Sequence, residues 1–221
     1  MTSTEKIYTS FCVLFSVLIV VGNLIYQKFV SLPILSFYSF ELSVGAILYP
    51  LTFLIMDLIV EFYGKEKAQF CIRLAVIINI IVAIIIVNMD YLKTTSWSKI
   101  DQATFHRVFG LYTVAFLGSV IACYISQSID ILLYLWIRKI TKGKYLWLRN
   151  NGSTAISLFI DTSTVITFMT IFNVLPKEQM WTLIVNSYSF KLFFTIFSIP
   201  LFYLCVSLLK RFIPQQGQVI T

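Results

Sequence analysis

The residues of this chain that could do chemistry are a few charged side chains within long apolar runs. Asp57 and Glu61 stand four residues apart in the apolar run 45–64, so a helix places both carboxylates on one face. A carboxylate at the centre of a bilayer costs about 2.5–3.5 kcal/mol on insertion scales. The two carboxylates therefore need a wet cavity, a cationic partner or a ligand.

The other apolar runs carry further polar groups, which are Asn23, Gln127, Asp130, Asp161 and Lys191. Such residues almost always face the interior of a helix bundle, pair with each other, or mark a substrate or ion path. Gln127 and Asp130 are three residues apart and so share one helix face. The alternative is that a pair between Lys191 and a carboxylate merely ties helices together. One lysine, however, cannot neutralise four carboxylates.

The composition is that of a membrane protein. Of the 221 residues, 58% are hydrophobic and 12% are charged, whereas soluble domains average about 25% charged residues. The length allows a handful of spans at about 20 residues each and leaves no room for a second soluble domain. We therefore expect an all-α integral membrane protein with one domain over residues 1–221.

Six apolar segments predict six transmembrane helices, at about 8–27, 45–62, 68–88, 108–137, 153–172 and 181–209. Segment 28–41 is aromatic and interrupted by Pro33, which favours a short strand-like or re-entrant excursion at the membrane surface. Asn151 or Ser153 is the expected N-cap of the fifth helix. The prediction is a six-transmembrane-helix bundle.

Basic residues concentrate on one side of this arrangement. Six helices put both termini on the same side, together with the loop before the fifth helix, and this side holds about twice as many cations as the other. The bias predicts a multi-pass protein of the inner (plasma) membrane with both termini in the cytoplasm. The net charge of +7 thus reflects topology, and no basic stripe with interleaved aromatics indicates nucleic-acid binding.

Several functional classes lack a supporting pattern. The four cysteines show no metal-binding spacing, so we expect no metal and no cofactor. The one histidine, His106, lies outside the apolar runs without a nucleophile nearby, which disfavours a polytopic membrane enzyme. No phosphate-binding G-x-x-x-x-G-K-[ST] motif is present. The mixture of amides, carboxylates, hydroxyls and aromatics favours a permease for a flat polar solute, with a channel or proton pathway as the alternative.

Several short motifs, taken together in order and spacing, resemble the queuosine precursor transporters of the vitamin uptake transporter family over nearly the whole chain. They are Gly45 with Tyr49-Pro50-Leu51-Thr52-Phe53, Asp57, Glu61, Tyr63-Gly64, Ala68, Phe105 with Val108-Phe109-Gly110, Ser126-Gln127, Asp130, Trp147-Leu-Arg-Asn-Asn151, Ser153-Thr154, Ser157, Ile160-Asp161-Thr162, and Lys191 with Pro200-Leu201. One position departs from the family, since Leu158 stands where many members have Gln.

The resemblance implies uptake of a 7-deazaguanine base into the cytoplasm for queuosine modification of tRNA. The candidate bases are 7-cyano-7-deazaguanine, 7-aminomethyl-7-deazaguanine and queuine. The implied architecture is similar to the substrate-binding components of energy-coupling-factor importers. A vitamin-binding subunit of an ATP-driven importer is therefore the alternative. The implied partners are the purine-like base and membrane lipid, and a homodimer is left open.

The edge of a deazaguanine suits the buried polar set. Its N1–H and exocyclic amine form a donor pair that a carboxylate accepts in bidentate fashion. We expect Asp161 or Asp130 at this edge, with Gln127 beside it. The carbonyl oxygen of the base needs a donor, which Gln127, Asn23 or Lys191 could supply. The flat face of the base needs an aromatic side chain, and stacking is worth about 1–3 kcal/mol per base.

Asp57 and Glu61 are the remaining predicted substrate-binding residues. They lie either in the pocket itself or form gating groups that pair with Lys191. Both positions match the family motifs, so they identify the family better than they locate the ligand.

Overall fold

The computed structural model describes residues 2–35, 38–110 and 112–213, and most of this chain is helical. The helices and strands are α1 Ser3–Ile25, β1 Phe29–Leu35, β2 Tyr38–Ser43, α2 Tyr49–Asp90, α3 Gln102–Phe105, α4 Tyr112–Ile140, α5 Leu146–Ile171, α6 Met180–Phe197 and α7 Ile199–Leu209. Short 3₁₀-helices, Val44–Leu48 and Lys177–Gln179, precede α2 and α6, and a π-helix, His106–Gly110, precedes α4.

Within the described residues, four helical segments are long and apolar enough to cross a membrane. They are Ser3–Ile25, Val44–Asp90, Phe116–Ile140 and Leu146–Ile171. The pair Lys177–Phe197 and Ile199–Leu209, bent by 46°, makes a fifth if it is counted as one span. The prediction of a helical membrane protein is confirmed at this level.

The N-terminus of α1 is capped, and the helix begins earlier than the predicted residue 8. The Thr2 hydroxyl accepts a hydrogen bond from the Glu5 backbone N–H (3.2 Å), and the Glu5 carboxylate accepts one from the Thr2 N–H (2.8 Å). This reciprocal capping box satisfies two otherwise free backbone donors. The polar residues before the apolar run therefore belong to the helix.

The predicted helices 45–62 and 68–88 both lie within α2, which is broken at Gly64. The backbone there has φ 77° and ψ −177°, a combination that strongly favours glycine because it has no Cβ. The break divides α2 into a first arm before Gly64 and a second arm after it. Both arms pack against α1.

The N-terminal end of α1 contacts both arms of α2 at positions close to the Gly64 break. The Tyr8 hydroxyl donates to the carbonyl of Lys67 (2.8 Å) in the second arm. The Tyr8 ring lies 5.1 Å from the ring of Tyr63 in the first arm, and the Tyr63 hydroxyl donates to the Thr4 carbonyl (3.0 Å). The Gly64 break therefore lies beside the start of α1.

The C-terminal end of α1 contacts the same two arms at positions far from the Gly64 break. Gly22 faces Gly45 just before the first arm, and the Asn23 amide donates to Asn79 in the second arm (3.0 Å). A straight helix of 42 residues would be about 63 Å long, so it could not bring both of these positions to one end of α1. The chain therefore reverses direction at Gly64, and the two arms run antiparallel.

The fifth predicted helix begins at Leu146, and its predicted start at residue 153 was wrong. Neither Asn151 nor Ser153 caps it, because both side chains donate to carbonyls one turn earlier in the same helix. The polar residues before 153 look like a basic loop in sequence. Arg149 and Asn150 are nevertheless buried inside the bundle, where carboxylates face them.

Two further helix boundaries differ from prediction. The segment expected as one helix over 181–209 is divided into α6 and α7, with Pro200 in the first turn of α7. Proline has no backbone N–H to continue the helix, which accounts for the bend at this point. The helix expected over 108–137 is α4, which runs to Ile140 and follows the π-helix.

The strand-like expectation for 28–41 is confirmed. β1 and β2 pair antiparallel, with Phe29 opposite Ser43 and Leu32 opposite Phe40. Phe40 packs against Phe190 of α6, with ring centroids 5.9 Å apart. The hairpin thus lies over the end of the bundle that holds the C-terminus of α1.

Candidate functional site

A cavity lies between α1, the hairpin, the start of α2, and helices α4 to α6, and its empty space of about 580 Å³ includes open solvent at its mouth. Its polar lining groups are Asn23, Tyr26, Ser43, Tyr49, Ser119, Asp161, Thr162, Ser187 and Lys191. Much of the remaining lining is apolar, from Val165, Ile166, Met169 and Leu183. Small-molecule sites commonly combine an apolar wall with a few convergent polar groups.

The floor of the cavity is a buried ion pair. The Lys191 ammonium donates to the Asp161 carboxylate (2.9 Å) and to the Thr162 hydroxyl (3.1 Å). The other Asp161 oxygen accepts from the Ser126 hydroxyl (3.3 Å). The ammonium also lies 4.1 Å from the ring centroid of Tyr49, within range of a cation–π interaction. Since the two charged side chains are 5% and 1% exposed, this pair is almost free of screening by water.

An amide network forms a second polar part of the cavity wall. The Asn23 side chain accepts from the Ser119 hydroxyl (2.5 Å) and donates to Asn79 (3.0 Å). The Ser119 hydroxyl is also 3.5 Å from that of Tyr49. Donors and acceptors from three helices are therefore held in fixed orientations around one space.

Two glycines bring the backbones of α1 and the start of α2 together beside the cavity. A Cβ placed on Gly45 would lie 2.3 Å from the Gly22 carbonyl oxygen. Small residues permit such close approach between membrane helices. Both glycines line the cavity, so the approach also sets the shape of its wall.

The mouth of the cavity lies between the hairpin and the connection from α5 to α6. A second, shallower depression there is lined by hairpin residues 29–31 and Glu41, and by Leu175, Pro176, Gln179 and Leu183. Phe29, Leu175 and Leu183 line both spaces. The cavity is therefore reached from the end of the bundle that the hairpin occupies.

Below the cavity floor, a second level of buried polar groups surrounds Asp57 and Asp130. Asp57 accepts from the Asn150 amide and from the Thr154 hydroxyl (3.4 Å). Asp130 accepts from the Ser157 hydroxyl (3.2 Å). Both carboxyl groups thus contact one face of α5, and they interact electrostatically with each other. Neither aspartate lines the cavity.

A third level is centred on Glu61. Its carboxylate accepts from the Arg149 guanidinium (2.6 Å) and from the Tyr134 hydroxyl (2.9 Å), and the Arg138 guanidinium is 3.8 Å away. Arg149 also donates to the Tyr134 hydroxyl (3.3 Å) and to the Gly143 carbonyl (3.0 Å). This cluster is less deeply buried than the aspartates, with 11% of the Glu61 side chain exposed.

The three levels repeat at intervals of one turn because α4 and α5 run antiparallel. Ser126 of α4 bonds Asp161 of α5, and one turn further Asp130 of α4 accepts from Ser157 of α5. We name this series of three levels the polar ladder. Its acidic residues, in order from the cavity to the opposite end, are Asp161, then Asp57 with Asp130, then Glu61. Successive levels are about 6 Å apart along the helices, since their residues are four positions apart and each position rises by about 1.5 Å.

The structure divides the seven predicted site residues into groups. Asn23, Asp161 and Lys191 line the cavity, whereas Asp57, Asp130 and Glu61 belong to the lower levels of the polar ladder. The side chain of Gln127 is buried, and neither of its polar atoms has a hydrogen-bond partner among the described residues. Lys191 pairs with Asp161, so neither Asp57 nor Glu61 is its ion-pair partner.

Sequence reasoning assigned to the site none of four residues that complete this network: Tyr49, Ser119, Arg149 and Asn150. A polar or aromatic side chain at one position carries little signal by itself. Three of the four do lie in the motifs that carry the family resemblance, at the start of α2 and the start of α5. Leu158, where the chain departs from the family, is buried against Tyr49 and Phe53 and does not line the cavity.

Comparison with known proteins supplies a family. The sequence model described as "Putative vitamin uptake transporter" matches residues 43–205. A Bacillus subtilis (strain 168) protein named "Probable queuosine precursor transporter" is 28% identical over 173 residues, covering 78% of this chain and 73% of the relative. No solved structure matches the chain.

Proposed function

Because the chain belongs to the vitamin uptake transporter family, we propose that it imports a 7-deazaguanine base for queuosine modification of tRNA. Its Bacillus relative carries the name of a queuosine precursor transporter. The observation that carries the proposal is the buried Asp161–Lys191 pair at the floor of a cavity within apolar, membrane-length helices. The chain acts as a carrier without catalysis.

The chemistry of the cavity supports a guanine-like ligand. Asp161 can accept from N1–H and the exocyclic amine, which are adjacent on the edge of the base. Lys191 and Asn23 can donate to the carbonyl oxygen, and Tyr49 supplies an aromatic surface in the same space. An ion pair that holds both an acceptor and a donor in place avoids the cost of organising them at binding. We therefore assign substrate contact to the cavity residues.

Six membrane crossings follow if the two arms of α2 each count as one. The segment from Val44 to Gly64 and the segment from Gly64 to Asp90 are each long enough for about 30 Å of hydrocarbon, and their contacts with α1 make them antiparallel. The bent pair α6–α7 supplies the sixth crossing. Six is also the number implied by the likeness to binding components of energy-coupling-factor importers.

The contacts gather the most basic segments at one end of the bundle. The start of α1 meets the Gly64 break through Tyr63, and Arg149 after the basic loop meets Glu61. Leu146 and Leu209 pack in one cluster, which brings the end of α7 to the same place. The positive-inside rule then assigns this end to the cytoplasmic side of the inner (plasma) membrane. The cavity mouth accordingly faces outward, as uptake requires.

The proposal is tested by restoring queuosine-modified tRNA in cells that lack both precursor synthesis and precursor uptake. Each base is fed separately to cells that express the chain, and modified tRNA is measured. We expect at least one of the three bases to restore modification. Failure of every base with a well-expressed protein would overturn the proposal.

Two variants test the assignment of the site. Asp161→Asn removes the bidentate acceptor and should abolish rescue. His106→Ala is the control, because 66% of this side chain is exposed and neither His106 nor its partner Asp90 lines the cavity. Rescue by the first variant with loss in the second would place the site elsewhere.

A further inference from the structure

The two aspartates of the middle level form a pair of acids that faces neither the cavity nor an ion-pair partner. Asp57 and Asp130 are both 0% exposed, and they contact the same face of α5, Asp57 through Thr154 and Asp130 through Ser157. The two carboxyl groups also interact electrostatically with each other. Two ionised carboxylates in contact repel strongly in a medium of low dielectric constant. One proton shared between them removes this repulsion, because the protonated carboxyl donates to its neighbour.

Unpartnered buried atoms mark the same place. Oδ1 of Asp57, Oδ2 of Asp130 and Oδ1 of Asn150 have no hydrogen-bond partner among the described residues. Gln127, one turn from Asp130, is 1% exposed and has both amide atoms unpartnered. Buried polar groups are normally satisfied, so this level has capacity to accept a further proton donor.

Among the described residues of the elements packed around the pair, no cation forms an ion pair with Asp57 or Asp130. On the cytoplasmic side, Arg149 and Arg138 face Glu61, with Tyr134 between them. On the cavity side, Lys191 faces Asp161 and Tyr49. The thiols of Cys12 and Cys71 lie in the apolar cluster around Met56 and Ile59, and α7 contributes Phe202 and Val206 against Leu54 and Leu58.

The pair is also connected to both ends of the polar ladder. Ser157 bonds Asp130, and Asp161 at the cavity floor is one turn further along the same helix. In the other direction, Glu61 is one turn from Asp57 along α2. Titratable groups within membrane bundles commonly mark proton relays. The middle level is therefore placed between the proposed substrate cavity and the cytoplasmic end.

We propose that the Asp57–Asp130 pair is a proton-binding site that couples import of the base to an inward proton gradient. This inference rests on the proposed transport function. In the outward-facing state the pair takes up one proton from the outer side, and its charge changes from −2 to −1. After reorientation the proton leaves through the Glu61 level to the cytoplasm, and the pair returns to −2. Each cycle moves one proton with one base.

The test uses the purified full-length chain in liposomes, with radiolabelled 7-cyano-7-deazaguanine, or another base that rescues in cells. The membrane potential is clamped at zero, and the outside is made one pH unit more acidic than the inside. One proton per neutral base then predicts accumulation of about tenfold, because a tenfold ratio corresponds to one pH unit of driving force. Exchange of labelled for unlabelled base without a gradient measures transport itself.

Asp57→Asn and Asp130→Asn each replace one acid by an amide of the same shape that resembles the protonated carboxyl. The ratio of uptake with and without the gradient should fall from about tenfold to about one. Asp101→Asn is the matched control, since Asp101 is exposed in the segment before α3, and its ratio should remain that of the unmodified chain.

The outcomes separate the two proposals. Absence of exchange in the unmodified chain, for every precursor base tried, counts against transport of these bases. Exchange without an effect of the proton gradient, or accumulation driven by a sodium gradient instead, overturns the proton site while transport stands. Gradient-driven accumulation that persists in both Asn variants also overturns it. If neither variant folds, Asp57→Glu, which keeps the acid, should restore both folding and gradient dependence; restored folding without gradient dependence would refute the assignment.

Discussion

The buried Asp161–Lys191 pair should have one role in stability and another in transport, and a double-mutant cycle can separate them. Removing either partner leaves a charge buried without its counterion, which typically costs about 3–5 kcal/mol. Replacing both partners by neutral residues removes this penalty. We therefore expect Asp161→Asn and Lys191→Met to destabilise the chain singly and far less when combined.

The neighbouring contacts rank the two single variants. Without Asp161, the ammonium still has the Thr162 hydroxyl at 3.1 Å and the Tyr49 ring at 4.1 Å, and a desolvated cation–π contact is worth about 2 kcal/mol. Without Lys191, the carboxylate keeps a single hydroxyl donor, from Ser126 at 3.3 Å. Asp161→Asn should thus cost about 3 kcal/mol and Lys191→Met about 5 kcal/mol.

The chain provides its own probe for this measurement. Cys12, Cys71 and Cys123 are buried free thiols, so a thiol-reactive dye reports unfolding of the detergent-solubilised protein. At about 2–4 °C per kcal/mol, the apparent midpoint should fall by about 6–12 °C for Asp161→Asn and about 10–20 °C for Lys191→Met. All variants need one scan rate, because such midpoints are kinetic.

Uptake decides whether the pair also binds the base. The double variant should recover most of the midpoint and still fail to restore queuosine-modified tRNA, because both the acceptor and the donor are absent. Recovery of uptake along with stability would refute substrate recognition by the pair. Additive losses in the two single variants would refute the ion-pair reasoning itself.

Three further predictions concern the walls of the cavity and the lower end of the polar ladder. Gly45→Ala should lower the midpoint by an amount equivalent to about 1–3 kcal/mol, because its Cβ would lie 2.3 Å from a backbone oxygen. Gly22→Ala is the control and should be neutral or stabilising, because the nearest neighbour of its Cβ is 3.6 Å away. Equal effects of the two variants would contradict the packing argument. Arg149→Met should destabilise the protein by about 3 kcal/mol, because Glu61 loses its closest cation. In the same dye assay, the double variant Arg149→Met/Glu61→Gln should recover part of the lost stability. Tyr49→Phe should keep uptake within about threefold, a change of under 1 kcal/mol, since the ring remains, whereas Tyr49→Leu should lose it; equal uptake by both would exclude the ring from the site.

Sequence reasoning predicted the membrane class, most helix positions and a strand-like or re-entrant segment at 28–41, because apolar run length and Pro33 act locally. It divided the α2 region correctly at Gly64, since two lysines and a glycine mark a turn. It placed the start of α5 too late. The residues around Arg149 have a composition that suits either a loop or a buried polar helix face. Only the contact of Arg149 with Glu61 on α2 shows that they are buried in a helix.

The membership of the cavity was predictable only in part, and its arrangement was not: of the seven predicted residues, Asn23, Asp161 and Lys191 line it. The spacing of Thr154, Ser157 and Asp161 on one face was visible from the chain alone. The carboxylate that pairs with Lys191 could not be predicted, because this pairing depends on the register of α4 against α5 and on the depth of α6. Tyr49 was not among the predicted site residues; the structure places its ring in the cavity wall, beside the Lys191 ammonium.

The roles of the acids follow from their partners rather than from their own chemistry. Asp57 and Glu61 lie one turn apart on one helix face, yet Glu61 faces two guanidinium groups and Asp57 faces another acid. A carboxylate with a fixed cation keeps its charge and can hold helices or orient a ligand. A carboxylate whose neighbour is a second carboxylate gains most from taking up a proton. A single bundle can therefore give its four carboxylic acids different roles: under the two proposals above, Asp161 binds the base and Asp57 with Asp130 carries the proton, while Glu61 holds helices together through its guanidinium partners.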